Sequence, residues 1–396
     1  MSELSYLEKL LDGAEVEWKS LSELASLRRG RVMSKVYFVD NIGEYPVYSS
    51  QTANSGMIGS IDTFDFDGEF VSWTTDGANA GTVFYRTGKF SITNVCGLIK
   101  INDNSPLNYK YLFYWLSIEA KSHVYSGMGN PKLMSHQVEK IPVPIPCPNN
   151  PEKPLAIQSE IVRVLDKFTE LTAELTAELT AELTARKKQY NYYRDQLLSF
   201  QEGEAEWRTL GEIAEYSKSR ISFDKLDKNN YVGVDNLLQN RAGKMQSNYV
   251  PTSGNLTEFR ESDILIGNIR PYLKKIWQAD STGGTNGDVL VIRSCHKSIL
   301  PRYLYQILAD DNFFEYNMQH AKGAKMPRGN KDAIMKYRLP IPSFDEQTRM
   351  VTILDKLDTL TNSINEGLPR EIELRQKQYE YYRELMFSFT KPELTD

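Results

Sequence analysis

The sequence Leu171-Thr-Ala-Glu-Leu-Thr-Ala-Glu-Leu-Thr-Ala-Glu-Leu183 repeats the unit Thr-Ala-Glu-Leu three times in succession. Ala, Glu and Leu favour helices, and residues 155–200 contain no Gly or Pro, so this region predicts one helix of roughly 70 Å. Leu171, Leu175, Leu179 and Leu183 advance about 40° per step around such a helix, which predicts an apolar band. On this stretch alone, low-complexity filler or a generic coiled coil also explains the pattern.

The same type of helix occurs a second time. A shift of 189 residues aligns residues 375–389 with residues 186–200, with nine of fifteen positions identical. It also places Leu360, Ile364, Leu368 and Ile372 opposite the four leucines, and Glu206-Trp207 opposite Glu17-Trp18. A repeat that spans the chain predicts two globular segments, each followed by a long helix. If the helices pack antiparallel, a pseudo-two-fold axis relates the two segments.

The composition is that of a globular protein of two or three domains, with 396 residues, 40% hydrophobic and 25% charged. The N-terminus is partly acidic, and nowhere do eighteen apolar residues run together, so neither export nor membrane insertion is expected. The three cysteines, Cys96, Cys147 and Cys295, are odd in number and far apart, which favours reduced thiols and a cytoplasmic location.

The fold class is predicted to be α+β. Strands are predicted at residues 68–73, 81–85, 95–101, 262–266 and 288–292, and helices at residues 109–123 and 303–314. Prolines between positions 142 and 154 predict a stiff extended linker into the long helix. Gly367 and Pro369 leave the continuity of the second long helix open. The predicted boundaries are 1–16 (an N-terminal segment packing near the C-terminal helix), 17–150 (first mixed α/β domain), 151–203 (central spacer helix), 204–342 (second mixed α/β domain) and 343–396 (C-terminal spacer helix).

The motifs of catalysis are missing. The sequence has no Gly-rich cofactor turn after a strand, no Gly-x4-Gly-Lys-Ser/Thr phosphate loop and no methyltransferase-type Asn/Asp-Pro-Pro-aromatic motif. His123, His136, His296 and His320 do not have metal-ligand spacing. The net charge of −5 argues against a nucleic-acid partner, but residues 318–338 hold six basic residues and one acid. We therefore expect a non-catalytic binding protein without a metal site.

Several motifs together resemble one family. They are the three Thr-Ala-Glu-Leu units, the Gln-Tyr-x-Tyr-Tyr-Arg box at residues 189–194 and 378–383, and the helix entry Leu339-Pro-Ile-Pro-Ser-Phe-Asp-Glu-Gln347. The chain resembles the specificity subunits (HsdS) of type I restriction-modification enzymes, and the repeated units look like their IC branch. The resemblance implies two pseudo-symmetric target recognition domains, joined by two long antiparallel helices as a coiled-coil spacer. Each domain would read one half of a bipartite, asymmetric site in double-stranded DNA.

The resemblance also implies partners. Two methyltransferase subunits (HsdM) would dock on the chain and methylate adenine, and restriction subunits (HsdR) would join for ATP-dependent cleavage. S-adenosylmethionine, ATP and Mg are expected on those partners, and no cofactor is expected on this chain. The rival interpretation from another class is a structural coiled-coil adapter that binds proteins. A transcriptional regulator is a further alternative, although such a protein usually has two identical readers.

The DNA-contacting residues are predicted in loops that differ between the halves and carry basic or amide side chains. In the second half these are Lys322, Lys325, Arg328, Asn330 and Lys331, with Asn268, Arg270, Tyr272, Lys274 and Lys275 in a second loop. In the first half they are Thr74, Thr75, Asp76, Asn79, Asn130 and Lys132, aligned in part by Gly127-x3-Pro-Lys132 against Gly323-x3-Pro-Arg328. Arg suits guanine, Asn suits adenine and Lys mostly meets phosphate. A solvated charged face is the plain alternative.

Tyrosines of the repeated box recur on one helical face. Tyr190, Tyr193 and Leu197 fall at i, i+3 and i+7, as do Tyr379, Tyr382 and Met386. Such residues are either core or partner anchors, and the sequence leaves the choice open.

Overall fold

The computed structural model describes residues 6–127, 129–148, 153–201, 203–362 and 366–390. The chain divides into two units. Unit 1 comprises residues 1–174 and 376–396, and unit 2 comprises residues 175–375. Each unit therefore combines one β-rich domain with parts of the long helices.

Unit 1 contains most of the first half of the chain. Its helices are α1 (Tyr6–Leu11), α2 (Leu21–Leu24), α3 (Lys35–Asp40), α4 (Tyr109–Glu119), α5 (Ser135–Val138) and the first part of α6 (Lys153–Leu198). Its strands are β1 (Val16–Ser20), β2 (Ala25–Arg29), β3 (Tyr45–Tyr48), β4 (Met57–Ile61), β5 (Phe66–Thr74), β6 (Val83–Ile92), β7 (Cys96–Ile101) and β8 (Pro142–Pro146). Six strands form one sheet in the order β2-β7-β5-β6-β3-β4.

The core of unit 1 lies between this sheet and α4. Val71 and Ile99 on neighbouring strands pack in one cluster with Tyr111 and Leu112 of the helix, and all four are buried. The predicted strand at 68–73 lies within β5, and the predicted helix at 109–123 is α4 followed by a 3-10 turn over Ala120–His123.

The predicted proline linker is instead partly a strand. Residues Pro142–Pro146 form β8, which pairs antiparallel with β1. Alternate backbone N–H groups of an edge strand point away from its neighbour, so Pro142, Pro144 and Pro146 cost the ladder no donor. The linker prediction was therefore wrong for these residues, and Pro151 lies outside the described residues.

Unit 2 repeats the plan with shorter strands. Its strands are β9 (Glu206–Thr209), β10 (Ala214–Tyr216), β11 (Arg220–Ser222), β12 (Asn255–Phe259), β13 (Ile264–Gly267), β14 (Ile276–Gln278), β15 (Gly283–Thr285), β16 (Val289–Ser294) and β17 (Arg338–Ile341). Its helices are α7 (Leu210–Ile213), α8 (Pro301–Leu308), α9 (Asp311–Gln319), α10 (Lys331–Ile334), α11 (Phe344–Asn362) and α12 (Gly367–Leu385), with the end of α12 in unit 1. The sheets have the orders β10-β16-β13-β14, β11-β12-β15 and β17-β9.

The predicted helix at 303–314 is divided in two. Asp310 lies between α8 and α9 with extended backbone, and its carboxylate accepts the backbone N–H of Asn312 at 2.9 Å. This carboxylate is the N-cap of α9, so the chain begins a new helix there. Tyr303 and Leu304 of α8 pack in a buried cluster with Ile264 and Ile292 of the sheet.

The three Thr-Ala-Glu-Leu units lie within a single uninterrupted helix, α6, of 46 residues. The second long element consists of α11 and α12, and residues 363–365 between them lie outside the described part. Pro369 falls in the first turn of α12, where its missing N–H is not needed.

The long helices pack antiparallel in unit 1. The Phe168 ring stacks on Tyr382 with centroids 5.2 Å apart, and Thr169 lies 3.0 Å from the hydroxyl of Tyr379. Earlier on α6, Leu165 lies in the same buried cluster as residues 386 and 387. As the residue numbers rise along α6, those of the residues it contacts fall, so the two helices run in opposite directions.

The long helices also pack antiparallel in unit 2. Tyr190 of α6 lies close enough to Asp358 of α11 to feel its charge. Further along α6, Leu197 packs in the same cluster as Met350 and Val351.

The joint between domain and helix in unit 1 is a pair of polar contacts. The side-chain oxygen of Gln158 on α6 accepts the backbone N–H of Asn108 at 2.8 Å. Two turns later, Asp166 accepts Lys110 Nζ at 2.6 Å and the hydroxyl of Tyr114 at 2.7 Å. The domain is thus fixed to one face of α6 through α4.

The same joint is built in unit 2, where the two helix residues lie 189 positions after their counterparts in unit 1. Gln347 on α11 accepts the backbone N–H of Leu300 at 2.8 Å. Asp355 accepts Arg302 Nε at 2.9 Å and Gln306 Nε2 at 2.6 Å. The internal repeat read from the sequence therefore extends to the contacts that hold each domain.

The N-terminal segment lies against the long helices within unit 1. The hydroxyl of Tyr6 donates to Glu160 at 2.8 Å, and Trp18 Nε1 donates to the backbone oxygen of Thr390 at 3.0 Å. Leu7 is buried in the same cluster as Phe387. Segment 6–16 thereby closes the unit on the end of the C-terminal helix.

Candidate nucleic-acid interface

The basic loop of unit 2 is a closed hairpin. The backbones of Lys322 and Arg328 exchange two hydrogen bonds, of 2.9 and 2.8 Å, and Gly323 supplies the positive φ of +97° that the turn needs. Lys322, Lys325 and Arg328 are all exposed. The hairpin therefore presents three cations to solvent.

The second predicted loop of unit 2 lies directly against this hairpin. The N–H of Arg270 donates to the Pro327 oxygen at 2.7 Å, and the N–H of Gly329 donates to the Asn268 oxygen at 3.1 Å. The structure thus brings together two loops that lie more than fifty residues apart in the chain. Arg270 and Tyr272 are exposed beside the hairpin.

Two lysines of the second loop are bound within the protein. Lys274 Nζ donates to Asp311 at 2.8 Å, and Lys275 Nζ donates to the backbone oxygen of Val234 at 2.7 Å. Burial lowers the pKa of Lys274, and the charge of Arg241 lowers it further. These lysines hold the loop in place rather than extending into solvent, which disfavours their predicted role as free phosphate contacts.

Two asparagines predicted to read bases are used by the fold. Asn268 is 5% exposed, and its N–H donates to the backbone oxygen of Asp288 at 2.8 Å. The Asn330 side chain caps α10 by accepting the N–H groups of Asp332 and Ala333 at 3.1 and 3.3 Å. Asn268 is thus buried and the Asn330 side-chain oxygen is occupied by the cap, which disfavours the prediction that these two residues read bases directly. Lys331 is exposed, as expected for a phosphate contact.

Unit 1 has a loop of the same construction. The backbones of Tyr125 and Lys132 exchange hydrogen bonds of 2.9 and 3.0 Å, and the N–H of Gly77 donates to the Pro131 oxygen at 3.0 Å. These pairs correspond to Lys322 with Arg328 and to Arg270 with Pro327. The alignment of the two Gly-x3-Pro motifs is thus matched by the backbone pairing, although Met128 lies outside the described residues.

The predicted side chains of unit 1 separate into two groups. Asn79, Asn130 and Lys132 are exposed, and Asp76 is partly exposed. Thr74 and Thr75 are fully buried; Thr74 donates to the Asn79 backbone oxygen and Thr75 to the Val95 oxygen at 2.8 Å. Thr74 ends β5 and Thr75 follows it, and their burial disfavours the prediction that they contact DNA directly.

Sequence reasoning missed one acidic residue of the interface. Asp288 forms an ion pair with Arg328, with 2.8 Å between the carboxylate and the guanidinium, and its backbone holds Asn268. Asp288 directly follows the turn at Asn286-Gly287, which was the only local signal. It orients the Arg328 fork while leaving that side chain 55% exposed.

The predicted spacer residues differ in exposure. Leu175, Leu179, Leu183, Leu360, Leu368 and Ile372 are half-buried, whereas Leu171 is 48% exposed. Ile364 lies outside the described residues. The half-buried part of the apolar band thus begins at Leu175 within the repeated units, and Leu171 lies exposed before it.

The tyrosine box also separates into core and surface. Tyr190 is buried, and Tyr379 and Tyr382 are half-buried against α6. Tyr193 is 41% exposed, and Tyr192 and its repeat counterpart Tyr381 are both 61% exposed. The surface members, rather than all the predicted ones, are therefore available to a partner.

Neither the helices nor the potential metal ligands of the described residues meet the requirements of a membrane span or a metal site. Within the described ranges, no helix has both the length and the apolar character needed to cross a membrane. No group of three or more His, Cys, Asp or Glu side chains in that part of the chain is arranged to hold a metal ion.

Known proteins resemble this chain over nearly its whole length. A family model for the type I restriction modification DNA specificity domain matches twice, at residues 14–185 and 202–374. The chain is 38% identical to the EcoR124I/EcoR124II specificity subunit of Escherichia coli, with 99% of each chain covered. It is 34% identical to the EcoprrI specificity subunit of the same species, with 92% of this chain and 93% of the relative covered.

A solved structure has the same fold. It comes from work on complex assembly and conformational transition of the type I R-M system, and the TM-score is 0.61 over 94% of this chain and 97% of that chain. The identity is 13%, so this likeness concerns the fold alone.

Proposed function

Because the chain belongs to the family of type I restriction-modification specificity subunits, which are non-catalytic and recognise DNA sequence, we propose that it reads a bipartite, asymmetric site in duplex DNA. Each domain takes one half-site. The observation that carries this proposal is the doubled hairpin, closed by Tyr125 and Lys132 in unit 1 and by Lys322 and Arg328 in unit 2. The backbone frame is shared while the exposed side chains differ, so the two units would read different bases.

We propose that recognition of the DNA site directs methylation and cleavage of the DNA by partner subunits. Two methyltransferase subunits (HsdM) would methylate adenine at the site, and restriction subunits (HsdR) would cleave DNA in an ATP-dependent reaction. S-adenosylmethionine, ATP and Mg belong to those subunits in this proposal, and this chain holds no cofactor. Since the proposed target is genomic DNA, we also propose a cytoplasmic location.

Mapping of methylated adenines tests the proposal as a whole. The chain is produced together with its methyltransferase partner in a host that lacks other adenine methylation. A single two-part motif with an unspecified gap is the expected result. Methylation without a sequence motif, or no DNA binding by the assembled complex, would refute it.

Arg328→Ala is expected to weaken binding of the intact complex to its site by about five- to a hundredfold. An exposed guanidinium that an acid orients is suited to the paired acceptors of guanine, and such a contact contributes about 1–3 kcal/mol. Competition titration with duplexes that differ in one half-site measures both affinity and selectivity. Arg260→Ala is a matched control, because Arg260 is 57% exposed and pairs with Glu258 at 3.1 Å. Unchanged binding across the duplex panel would remove Arg328 from the interface.

Tyr192→Ala and Tyr381→Ala are each expected to weaken assembly with the methyltransferase subunit about tenfold. These two tyrosines occupy equivalent positions on the two long helices and are equally exposed, which suits one contact for each of two identical partners. Titration by light scattering or analytical ultracentrifugation measures assembly. Tyr249→Ala, at an exposed tyrosine outside the box, is the control. Normal assembly by the double variant would contradict this assignment.

A further inference from the structure

A loop of unit 1 outside the predicted DNA-binding residues has an unusual backbone. Between β3 and β4, three consecutive residues, Asn54, Ser55 and Gly56, have φ of +49°, +50° and +85°. Non-glycine residues adopt this region at an energetic cost, so other contacts must hold the loop. Thr52, Ala53, Asn54 and Ser55 are all exposed.

The contact that holds this loop is a buried arginine. Arg86 of β6 is 5% exposed; its Nη2 donates to the Ser55 oxygen at 2.7 Å and its Nε donates to Ser72 Oγ at 3.0 Å. Its guanidinium lies 3.6 Å from the centre of the Tyr48 ring. Burial lowers the pKa of Arg86, but a guanidinium stays charged at neutral pH.

Arg86 lacks the partner that other buried arginines have. In unit 2, the buried Arg194 is paired with Asp310 and the partly buried Arg241 with Asp311. Among the residues that the structure describes, no carboxylate lies within 4 Å of the Arg86 guanidinium. A buried charge without a counter-charge is costly, so an anion outside the domain would complete the site.

The loop borders the candidate interface. Ser50 Oγ donates to the Val95 oxygen and accepts the N–H of Thr75 at 3.3 Å. Thr75 directly precedes Asp76, whose backbone pairs with Lys132 of the hairpin. An anion over the loop would therefore lie beside whatever the hairpin contacts.

We propose that the loop Ser49–Gly56 is a third DNA-contact segment of unit 1, and that the buried charge of Arg86 draws a backbone phosphate onto it. This inference rests on the proposed function. Asn54 and Ser55 contact the DNA from the left-handed turn, and Arg86 acts as a positioning residue beneath them. The phosphate contact of this loop would position the half-site DNA against the first domain.

The test uses the complex of the full chain with its methyltransferase subunits. Asn54→Gly/Ser55→Gly removes the exposed side chains, and glycine accepts the backbone conformation without strain. Ser262→Gly is the matched control, because Ser262 is also exposed with a φ of +70° but precedes β13, at the end opposite Asn268. Arg86→Met removes the buried charge, and Arg86→Lys retains it.

We expect Asn54→Gly/Ser55→Gly and Arg86→Met to weaken binding to the two-part duplex about tenfold, with Arg86→Lys within about threefold of the unaltered chain and Ser262→Gly unchanged. The loss of affinity should vanish on a duplex that lacks the half-site read by unit 1. The effect of Arg328→Ala should instead vanish on a duplex that lacks the half-site read by unit 2. Unchanged affinity of the double glycine variant, or equal losses for Arg86→Met and Arg86→Lys, would overturn the inference. Equal binding of two-part and random duplexes by the unaltered complex would instead refute the proposed function.

Discussion

Deletion of Thr176–Leu179, one Thr-Ala-Glu-Leu unit, is expected to shorten the gap between the two recognised half-sites by one base pair and to leave both half-site sequences unchanged. The unit lies inside the uninterrupted helix α6, so its removal shortens that helix by about 6 Å and rotates the remainder of the helix by about 40°. One base pair of DNA rises about 3.4 Å and turns about 35°, so the rotation matches one base pair and the rise nearly two. Because the second long element keeps its length, part of the shortening should be absorbed. A gap shorter by two base pairs is the less favoured outcome.

Methylation mapping of the deletion variant reads the gap and both half-sites in one experiment. Replacement of Thr176–Leu179 by four alanines is the matched control, since it retains helix length and should leave the gap as it is. Altered half-site sequences would show that the helix does not act as a spacer. So would an unaltered gap with full activity.

Arg194→Met is expected to destabilise unit 2 by about 3–5 kcal/mol, the usual result of removing one member of a buried ion pair. Arg194 is 2% exposed, lies 3.6 Å from Asp310, and donates to Tyr190 at 2.8 Å and to Gln306 at 2.6 Å. The substitution removes the ion-pair partner of the buried Asp310 carboxylate. Hydrogen exchange of the α8 amides measures the effect, and opening should become at least about a hundredfold more frequent.

Arg383→Met is the control for this prediction, because Arg383 occupies the same place in the second copy of the box. Its guanidinium lies 5.6 Å from the Tyr379 ring, and the described residues place no carboxylate within 4 Å of it. We expect a loss below about 1 kcal/mol there. Similar losses for the two variants would show that packing of the arginine stem, rather than the buried charge, stabilises unit 2.

The parts of the fold that follow local rules were predictable from the sequence. The extent of α6 follows from helix propensity and the absence of Gly and Pro, and the two-fold repeat follows from identities at a constant shift. The alignment of the Gly-x3-Pro motifs predicted the matching positions of Lys132 and Arg328, each of which closes a hairpin directly after the proline, although only Gly323 of the two motif glycines has a positive φ.

The parts that depend on distant contacts were not predictable. Thr74, Thr75 and Asn268 have polar side chains typical of a DNA-binding loop, but each lies at the end of a strand where the next loop covers it. Arg86 stands within a strand, and only tertiary structure reveals that it lies beneath a loop thirty residues earlier. Side-chain type predicts which groups can bind DNA, whereas burial decides which of them reach it.

The joint between domain and helix has a consequence for how DNA specificity evolves in such a chain. In both halves the helix contributes the same two residue types, a glutamine and an aspartate. The side chains that donate to the aspartate differ between the domains, and they are Lys110 and Tyr114 in unit 1 and Arg302 and Gln306 in unit 2. A foreign domain thus needs only a backbone N–H and a pair of donors at these places to be seated. Genetic recombination at the joint would replace one half of the recognised sequence in a single event. Specificity could then evolve by exchange of whole domains, without the gradual accumulation of point substitutions.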